Sequence, residues 1–309
     1  MSGCRGGPLY NRAVTPLSRT AFLTLLLIAC MMGANHVGAR LAFDHGLDVP
    51  TAVLCRSGVT ALALVLLLRL QRVAWSVTPQ QRRMLPRIGV LIAIQSLCIY
   101  AAVARMPVAL ALLAFNTYPL WTALWARVVY GERAPARLLK AMPVMLLGLA
   151  LALDVSGAAS GLAASAHWAS IGAGVAFALT AAATFGLALV LTQHGTAGLD
   201  GRLRTAATLG MVALLASLAV LGQGGPHWPQ AAPGWWGLVA LVTLYGSAFT
   251  LMFTVLPRLG VVGNSAIMNV EPIFALVLAW ALLGQAIAPV QVLGGLMVVC
   301  TVMWLGWRR

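Results

Sequence analysis

A series of long apolar runs leaves this chain little choice of fold. Ten runs can be marked, at 20–40, 50–70, 86–104, 107–130, 136–154, 168–192, 204–222, 235–256, 261–283 and 288–307. A helix needs about 20 apolar residues to cross the hydrocarbon core of a bilayer. Because the runs are continuous rather than alternating, they are expected to span as helices and not as strands of a barrel. The sequence therefore predicts an all-α integral membrane protein with ten transmembrane helices.

Composition agrees with a membrane protein. The 309 residues are 61% hydrophobic and only 8% charged, whereas soluble domains are about 25% charged. The net charge of +14 would suggest nucleic acid in a soluble protein. Here the retention of basic loops in the cytoplasm explains it more simply, so the bilayer is an expected partner and nucleic acid is not. The scattered cysteines do not predict a metal site.

The loop charges alternate along the chain. With the N-terminus inside, the cytoplasmic segments hold Arg5, Arg12, Arg19, Arg72, Arg82, Arg83, Arg87, Arg133, Arg137, Lys140, Arg202, Arg204, Arg258, Arg308 and Arg309. Only Arg40 and Arg105 lie at the outer ends of spans. By the positive-inside rule, both termini are predicted to be cytoplasmic.

Two of the runs share an unusual interior, which reveals a repeat. Residues 153 positions apart match: Asn116 with Asn269, Pro119 with Pro272, Gly131 with Gly284, Gly33 with Gly186, and Arg105 with Arg258. The ten runs then divide into five and five. An odd number of spans per repeat makes the two halves enter the membrane in opposite directions, as in many secondary transporters. The predicted divisions are a basic tail at 1–19 and five-helix repeats at 20–154 and 168–307.

Ionisable residues inside the runs are few, namely Glu271, Arg56 and His36. Such residues usually face an internal cavity or one another. Glu271 and Arg56 would then line a central pathway, binding a polar substrate or exchanging a proton. A buried structural ion pair, or an Arg56 side chain that extends to the interface, is the alternative. His36 alone fits a helix-contact residue better than a ligand.

The prolines predict kinks, because each removes a backbone hydrogen bond and frees a carbonyl about one turn earlier. Pro119 and Pro272 are therefore expected to mark a site near the midplane. Asn116 and Asn269 would bond the freed backbone groups or a substrate.

Aromatic side chains on the same runs would give an organic solute a surface to stack on. The candidates are Tyr100, Phe115, Tyr118, Trp121, Tyr245 and Phe249. Packing between helices or against lipid is the simpler alternative for each. Asn35 adds a polar group to the outer half of the first span.

These features together resemble the EamA-type transporters of the drug/metabolite transporter superfamily, over about 21–307. The resemblance rests on Gly33-Ala34-Asn35, Arg40, Arg56, 114–119, Gly131-Glu132-Arg133, Glu271-Pro272 and Gly284-Gln285. The family typically has Glu where this chain has Gln285, which favours structural roles for Glu132 and Gln285. The resemblance implies two inverted five-helix bundles around a central cavity, and the movement of amino acids, other metabolites or drugs.

The resulting hypothesis is a secondary transporter of the bacterial plasma membrane that exports a small organic metabolite by alternating access, without a cofactor or enzymatic activity. The alternatives are a channel-like facilitator, a membrane-embedded enzyme and a non-transporting scaffold. Coupling to protons through Glu271 and assembly as a homodimer stay open. The predicted pathway residues are Asn35, Arg56, Tyr100, Asn116, Tyr118, Trp121, Tyr245, Asn269 and Glu271, with kinks at Pro119 and Pro272.

Overall fold

The computed structural model describes residues 19–73, 75–133, 136–155, 157, 161, 163–255, 269–285 and 287–306. Its helices are α1 (Arg19–Phe43), α2 (Val49–Leu70), α3 (Pro79–Val103), α4 (Val108–Phe115), α5 (Tyr118–Tyr130), α6 (Ala136–Ala152), α7 (Ala164–Gly195), α8 (Gly201–Gly222), α9 (Ala232–Thr254), α10 (Glu271–Leu283) and α11 (Pro289–Gly306). Regular structure in these ranges is entirely helical. Seven segments among them are long and apolar enough to cross a membrane, with α4 and α5 counted together.

The helices follow the predicted runs closely. The third helix begins earlier than its predicted run, at Pro79 instead of residue 86. Residues 256, 261–268 and 307, at the ends of three runs, lie outside the described residues. Long apolar stretches form helices here because a helix satisfies its own backbone hydrogen bonds, which lipid cannot do.

The fourth predicted span is divided into two helices. α4 ends at Phe115, α5 begins at Tyr118, and a turn at Asn116 and Thr117 separates them. Pro119 lies in the first turn of α5, where its missing N–H removes no helical hydrogen bond. The kink expected at this proline therefore takes the form of a complete break.

α10 is the counterpart of α5 in the second half of the chain. Each helix has 13 residues, and Pro272 lies in the first turn of α10 as Pro119 does in α5. Both helices end at a glycine in the left-handed region, Gly131 with φ 69° and Gly284 with φ 64°. Glycine adopts this conformation without strain, so the same stop signal operates in both copies.

α2 and α8 also correspond, with 22 residues each and an aspartate at the N-cap. Burial raises the pKa of the Asp48 carboxyl, but hydrogen bonds from Gln223, Thr51 and His227 outweigh it, and the pKa lies below its usual value of 3.8. Hydrogen bonds from Arg202 likewise lower the pKa of Asp200. Both caps therefore act as ionised carboxylates.

Helices pack on partners from the other half of the chain. α1 contacts α9 while α7 contacts α3, and α10 contacts α1 while α5 contacts α7. α2 packs on α8, and α6 packs on α11. Each contact thus has a counterpart in which the two halves exchange roles.

Glycines permit the closest of these contacts. A Cβ atom added at Gly33 would lie 3.0 Å from the backbone nitrogen of Ala275, and one at Gly186 would lie 2.8 Å from that of Thr122. Small residues let helix backbones approach in lipid, where no hydrophobic force drives them together. The matched glycines of the sequence therefore serve matched α1–α10 and α7–α5 contacts.

The loops gather at two ends of the bundle. At one end, hydrogen bonds join the α1–α2 loop to the α8–α9 loop, the end of α10 to the start of α4, and the end of α6 to α11. At the other, they join the start of α3 to the α7–α8 loop, the α2–α3 loop to the start of α8, and the end of α5 to α7. The second end, here named the basic end, carries Arg69, Arg72, Arg82, Arg83, Arg87, Arg133, Arg137, Lys140, Arg202 and Arg204.

Candidate functional site

Glu271 is the first residue of α10, where the partial positive charge of a helix N-terminus favours a carboxylate. Its Oε1 atom lies 3.3 Å from Nε2 of His36 on α1. The close approach of the two helices at Gly33, one turn before His36, brings these side chains together. An ion pair or hydrogen bond therefore links the two halves of the chain at the break before α10.

Tyr100 of α3 connects several polar side chains. Its hydroxyl donates a 2.6 Å hydrogen bond to Oδ1 of Asn35 and accepts one of 3.3 Å from Nη1 of Arg56. Its ring lies 5.1 Å from the His36 ring, centroid to centroid. Asn35 in turn donates to the carbonyl of Met32. Three helices thus meet around one buried phenol.

Arg56 lies seven residues into α2 and is only 4% exposed. Its Nη2 donates a 3.0 Å hydrogen bond to Oγ of Ser96. Its guanidinium carbon lies over two aromatic rings, 4.8 Å from the centroid of Tyr100 and 4.0 Å from that of Tyr245. Within the described part of the chain it makes no ion pair, and Nε has no hydrogen-bond partner.

Glu271 belongs to the same group of side chains. Through His36, whose ring packs on that of Tyr100, its carboxylate is linked to the side chains around Arg56. We define the polar network as Asn35, His36, Arg56, Ser96, Tyr100, Tyr245 and Glu271. It holds one cation and one carboxylate, which are separated by Tyr100 and His36.

A second group adjoins the break between α4 and α5. The Tyr118 hydroxyl donates a 3.4 Å hydrogen bond to Oδ1 of Asn269, two residues before Glu271. Phe115 and Phe185 pack on Tyr118, with centroids 5.8 and 5.2 Å away. The two breaks therefore lie side by side.

Most predicted pathway residues occupy these two groups. Asn116 is buried, and its Nδ2 atom has no partner among the described residues. Trp121 lies further along α5, where it packs against Gly186 of α7. Trp121 is thus placed at a helix contact, one turn away from the Tyr118 group.

Sequence reasoning missed Ser96 as a member of the polar network, and it named His36 without including it among the predicted pathway residues. Ser96 carries no distinctive pattern. His36 was interpreted as a helix contact and not as part of the site. Its place at the contact with α10 could have been inferred, because Gly33, three residues earlier, matches Gly186 in the repeat. A repeated glycine marks a close helix approach, and a polar residue one turn later is placed at that interface.

Glu132 and Gln285, at matching positions of the repeat, both tie down helix ends. Glu132 lies 2.9 Å from Nε2 of His194, so its partner is a histidine of α7 rather than the neighbouring Arg133. Gln285 accepts a 3.2 Å hydrogen bond from the backbone N–H of Val108 at the start of α4. These contacts fit the structural roles inferred from the sequence.

A largely apolar cavity of about 130 Å³ lies beside the polar network, between α4, α10 and α11. Leu113, Leu276 and Val299 are among its walls, and Pro272 borders it at the start of α10. The amide of its polar lining residue, Gln291, already accepts from the backbone N–H of Ala288 and donates to the carbonyl of Ala152, so the polar network is the better candidate site.

Comparison with known proteins agrees with this arrangement. The model of the EamA-like transporter family matches residues 19–153 and 172–307. The search of curated proteins found no match. A solved crystal structure of a protein has 16% sequence identity and a TM-score of 0.59, and the match covers 94% of this chain and 98% of that chain. At this identity the likeness concerns the fold alone.

Apolar side chains cover the outside of the helices, with Leu62 and Trp236 each 71% exposed. Together with the buried polar network, they define a multi-pass helical membrane protein. The two matched segments cover most of the chain, and the protein belongs to the EamA-like transporter family.

Proposed function

We propose that this protein is a secondary transporter that exports a small organic metabolite by alternating access. The observation that carries the proposal is the buried polar network at the contact between the two halves. Ionisable groups inside a membrane are costly and usually mark a substrate or ion pathway. Transporters with repeated halves bind their substrates at such interrupted helices.

The proposal includes ten spans, arranged as inverted repeats of five at 20–154 and 168–307 after the tail at 1–19. The exchanged helix contacts, the paired half-helices α5 and α10, and the N-capped helices α2 and α8 support it. The loops also alternate between the two ends if α4 and α5 form one span. The family segments divide the chain in nearly the same place.

Alternating access would move the α1–α10 contact relative to α2, α3 and α9. His36 and Glu271 lie on the first pair, whereas Arg56, Tyr100 and Tyr245 lie on the others. His36 and Arg56 are buried in the present arrangement. A rocking motion between the groups would open the polar network to one side at a time.

The orientation follows from charge. The basic end would face the cytoplasm of a bacterial cell and hold both termini, since basic residues are retained there during insertion. Glu271 would carry the proton in a coupled cycle, whereas an uncoupled transporter would use it for binding only.

Efflux of a mixture of solutes from proteoliposomes tests the function and identifies the substrate in one experiment. Vesicles containing the purified protein are loaded with a bacterial extract of small metabolites, and mass spectrometry identifies what leaves. We expect one chemical class to leave faster than from protein-free vesicles, with saturation and counterflow. Flux without saturation or counterflow would indicate a channel-like facilitator, and absence of flux would refute the proposal.

A further inference from the structure

We propose that Arg56 binds the anionic group of the transported solute, and that this solute is an organic monocarboxylate. The inference rests on the transport function proposed above and adds the chemical class of its substrate. It starts from a charge that the described part of the protein leaves unmatched.

The charge of Arg56 is enclosed but not neutralised. The side chain is 4% exposed, and no carboxylate of the described residues forms an ion pair with it. Two aromatic rings attract the cation, but they supply no negative charge. A buried charge without a counter-ion is strongly unfavourable, which favours an anion as the missing partner.

Glu271 is not that partner. Its carboxylate contacts His36, and Tyr100 lies between that pair and Arg56: the Tyr100 ring faces His36 while its hydroxyl accepts from Arg56. The carboxylate and the cation are thus held apart by fixed neighbours.

The guanidinium of Arg56 has N–H groups that make no hydrogen bond with the described residues. One N–H of Nη1 bonds to Tyr100 and one of Nη2 to Ser96, while Nε is buried without a partner among the described residues. Of the five N–H groups of an arginine, three therefore stay available. A carboxylate fits such a fork with two parallel hydrogen bonds.

Neighbouring polar atoms on α2 extend the site. The hydroxyls of Ser57 and Thr60 are buried and lack partners in the described ranges. Thr60 is one turn from Arg56 on the same helix face and lies near Gly246, the residue after Tyr245. The Thr60 hydroxyl would bind a further polar atom of the solute, whereas Ser57, next to Arg56 in sequence, points to a different side of α2. A single cation without a nearby lysine suits one negative charge better than a phosphate dianion.

Three planar probes of nearly equal shape test the charge preference: benzoate, benzamide and benzamidinium, which carry charges of −1, 0 and +1. Their affinities for the purified full-length protein in detergent are measured by calorimetry at constant chloride concentration. We expect wild-type protein to bind benzoate at least about tenfold more tightly than benzamide, because charge-assisted hydrogen bonds are the stronger kind. Benzamidinium should bind most weakly. Equal affinities for benzoate and benzamide would overturn the proposal.

Variants assign the preference to one residue. Arg56→Gln should abolish the preference for benzoate over benzamide. Arg56→Lys should keep benzoate as the tightest-binding probe but weaken its binding, since lysine lacks the forked donors of the guanidinium. Arg105→Gln is the matched control: it also removes a positive charge over an aromatic ring, that of Phe177, at a different place. If Arg56→Gln does not fold, Arg56→Lys decides, and unchanged benzoate affinity in it would contradict the assignment.

The binding test is independent of transport. Benzoate selectivity without any efflux from proteoliposomes would refute the transport function and leave the anion site intact. Saturable efflux without benzoate selectivity would refute the anion site and leave the transport function intact.

Discussion

Glu271 occupies a position where the two copies of the repeat differ in chemistry. Its counterpart is Tyr118, and both residues open a half-helix behind a break. Tyr118 contacts Asn269, whereas Glu271 contacts His36 across the halves. A shared scaffold thus carries a neutral group in one copy and an ionisable group in the other.

Glu271→Gln is expected to impair transport by about tenfold or more while membrane insertion stays normal. The amide keeps the shape but removes the charge that faces His36. Initial rates in proteoliposomes across a pH range provide the measurement. Normal rates at every pH would remove Glu271 from the mechanism.

Glu132→Gln is the matched control for this change. Glu132 also contacts a histidine, His194 at 2.9 Å, but it lies at the basic end of the bundle. Its loss should leave the transport rate nearly unchanged.

The half-helices α5 and α10 begin with prolines that separate them from what precedes. Pro119→Ala and Pro272→Ala are expected to alter transport more than expression, because each proline lies in a first turn where no helical hydrogen bond is lost. Alanine would let the helix extend backwards through the break. Pro79→Ala, in the first turn of α3 and away from the polar network, is the control. If Pro119→Ala and Pro272→Ala both transport at the wild-type rate, these prolines contribute only to helix packing.

The α1–α10 contact depends on a position without a side chain. Gly33→Ala is expected to lower stability by about 1–3 kcal/mol, because its Cβ would lie 2.9 Å from the carbonyl oxygen of Glu271. Gly210→Ala in α8 is the control, since no described atom lies within 4 Å of its added Cβ. Thermal unfolding in detergent gives the comparison. Equal unfolding midpoints for wild-type protein and Gly33→Ala would show that α10 moves away from α1 at no cost to accommodate the added methyl group.

Asp48 caps α2 and joins two loops, since it also accepts a 2.7 Å hydrogen bond from the backbone N–H of His227. Asp48→Ala is expected to cost about 1 kcal/mol, the usual contribution of an N-cap. Asp48→Asn should retain the cap and lose the charge. Thermal unfolding measured as a function of pH compares both variants with wild-type protein.

The sign of the pH effect follows from the lowered pKa of Asp48. The charge stabilises the fold above the unfolded pKa, near the usual 3.8, and this contribution disappears as the pH falls through the lower folded pKa. Wild-type protein should therefore lose its advantage over Asp48→Asn only below about pH 4. The group that faces the Asp48 carboxylate from the α8–α9 loop is His227, whose Nδ1 atom lies 3.3 Å from Oδ2 of Asp48. An advantage that grows on acidification would contradict this account.

The bundle as a whole sorts its charges between two ends. The α8–α9 loop lies opposite the basic end, together with the α1–α2 loop. Alkaline phosphatase inserted after Gly225 is expected to be active outside the cell, and a fluorescent protein fused after Arg309 should fluoresce inside it. Phosphatase inserted after Arg133 is the control and should be inactive. The reverse pattern would overturn the orientation.

The positions of the helices were predictable because their causes are local. The length of each apolar run decides whether it can span the membrane as a helix. The helix ends depend on nearby backbone groups, which the aspartate caps of α2 and α8 and the terminal glycines of α5 and α10 satisfy. The repeat was also readable, since residues 153 apart serve matching helix contacts. At Pro119 the sequence predicted a kink within one helix, whereas the structure has two helices separated by a turn.

The partners of the polar residues were decided only by the tertiary structure. A helix that is apolar all round does not show which face meets another helix, because lipid and protein interior favour the same side chains. Nothing local could indicate that Glu271 meets His36, 235 positions earlier, or that Arg56 lies between two tyrosines. The sequence by itself determined where the chain crosses and breaks. The packing of the two halves determined that Glu271 pairs with His36, whereas Arg56 makes no ion pair with any described residue.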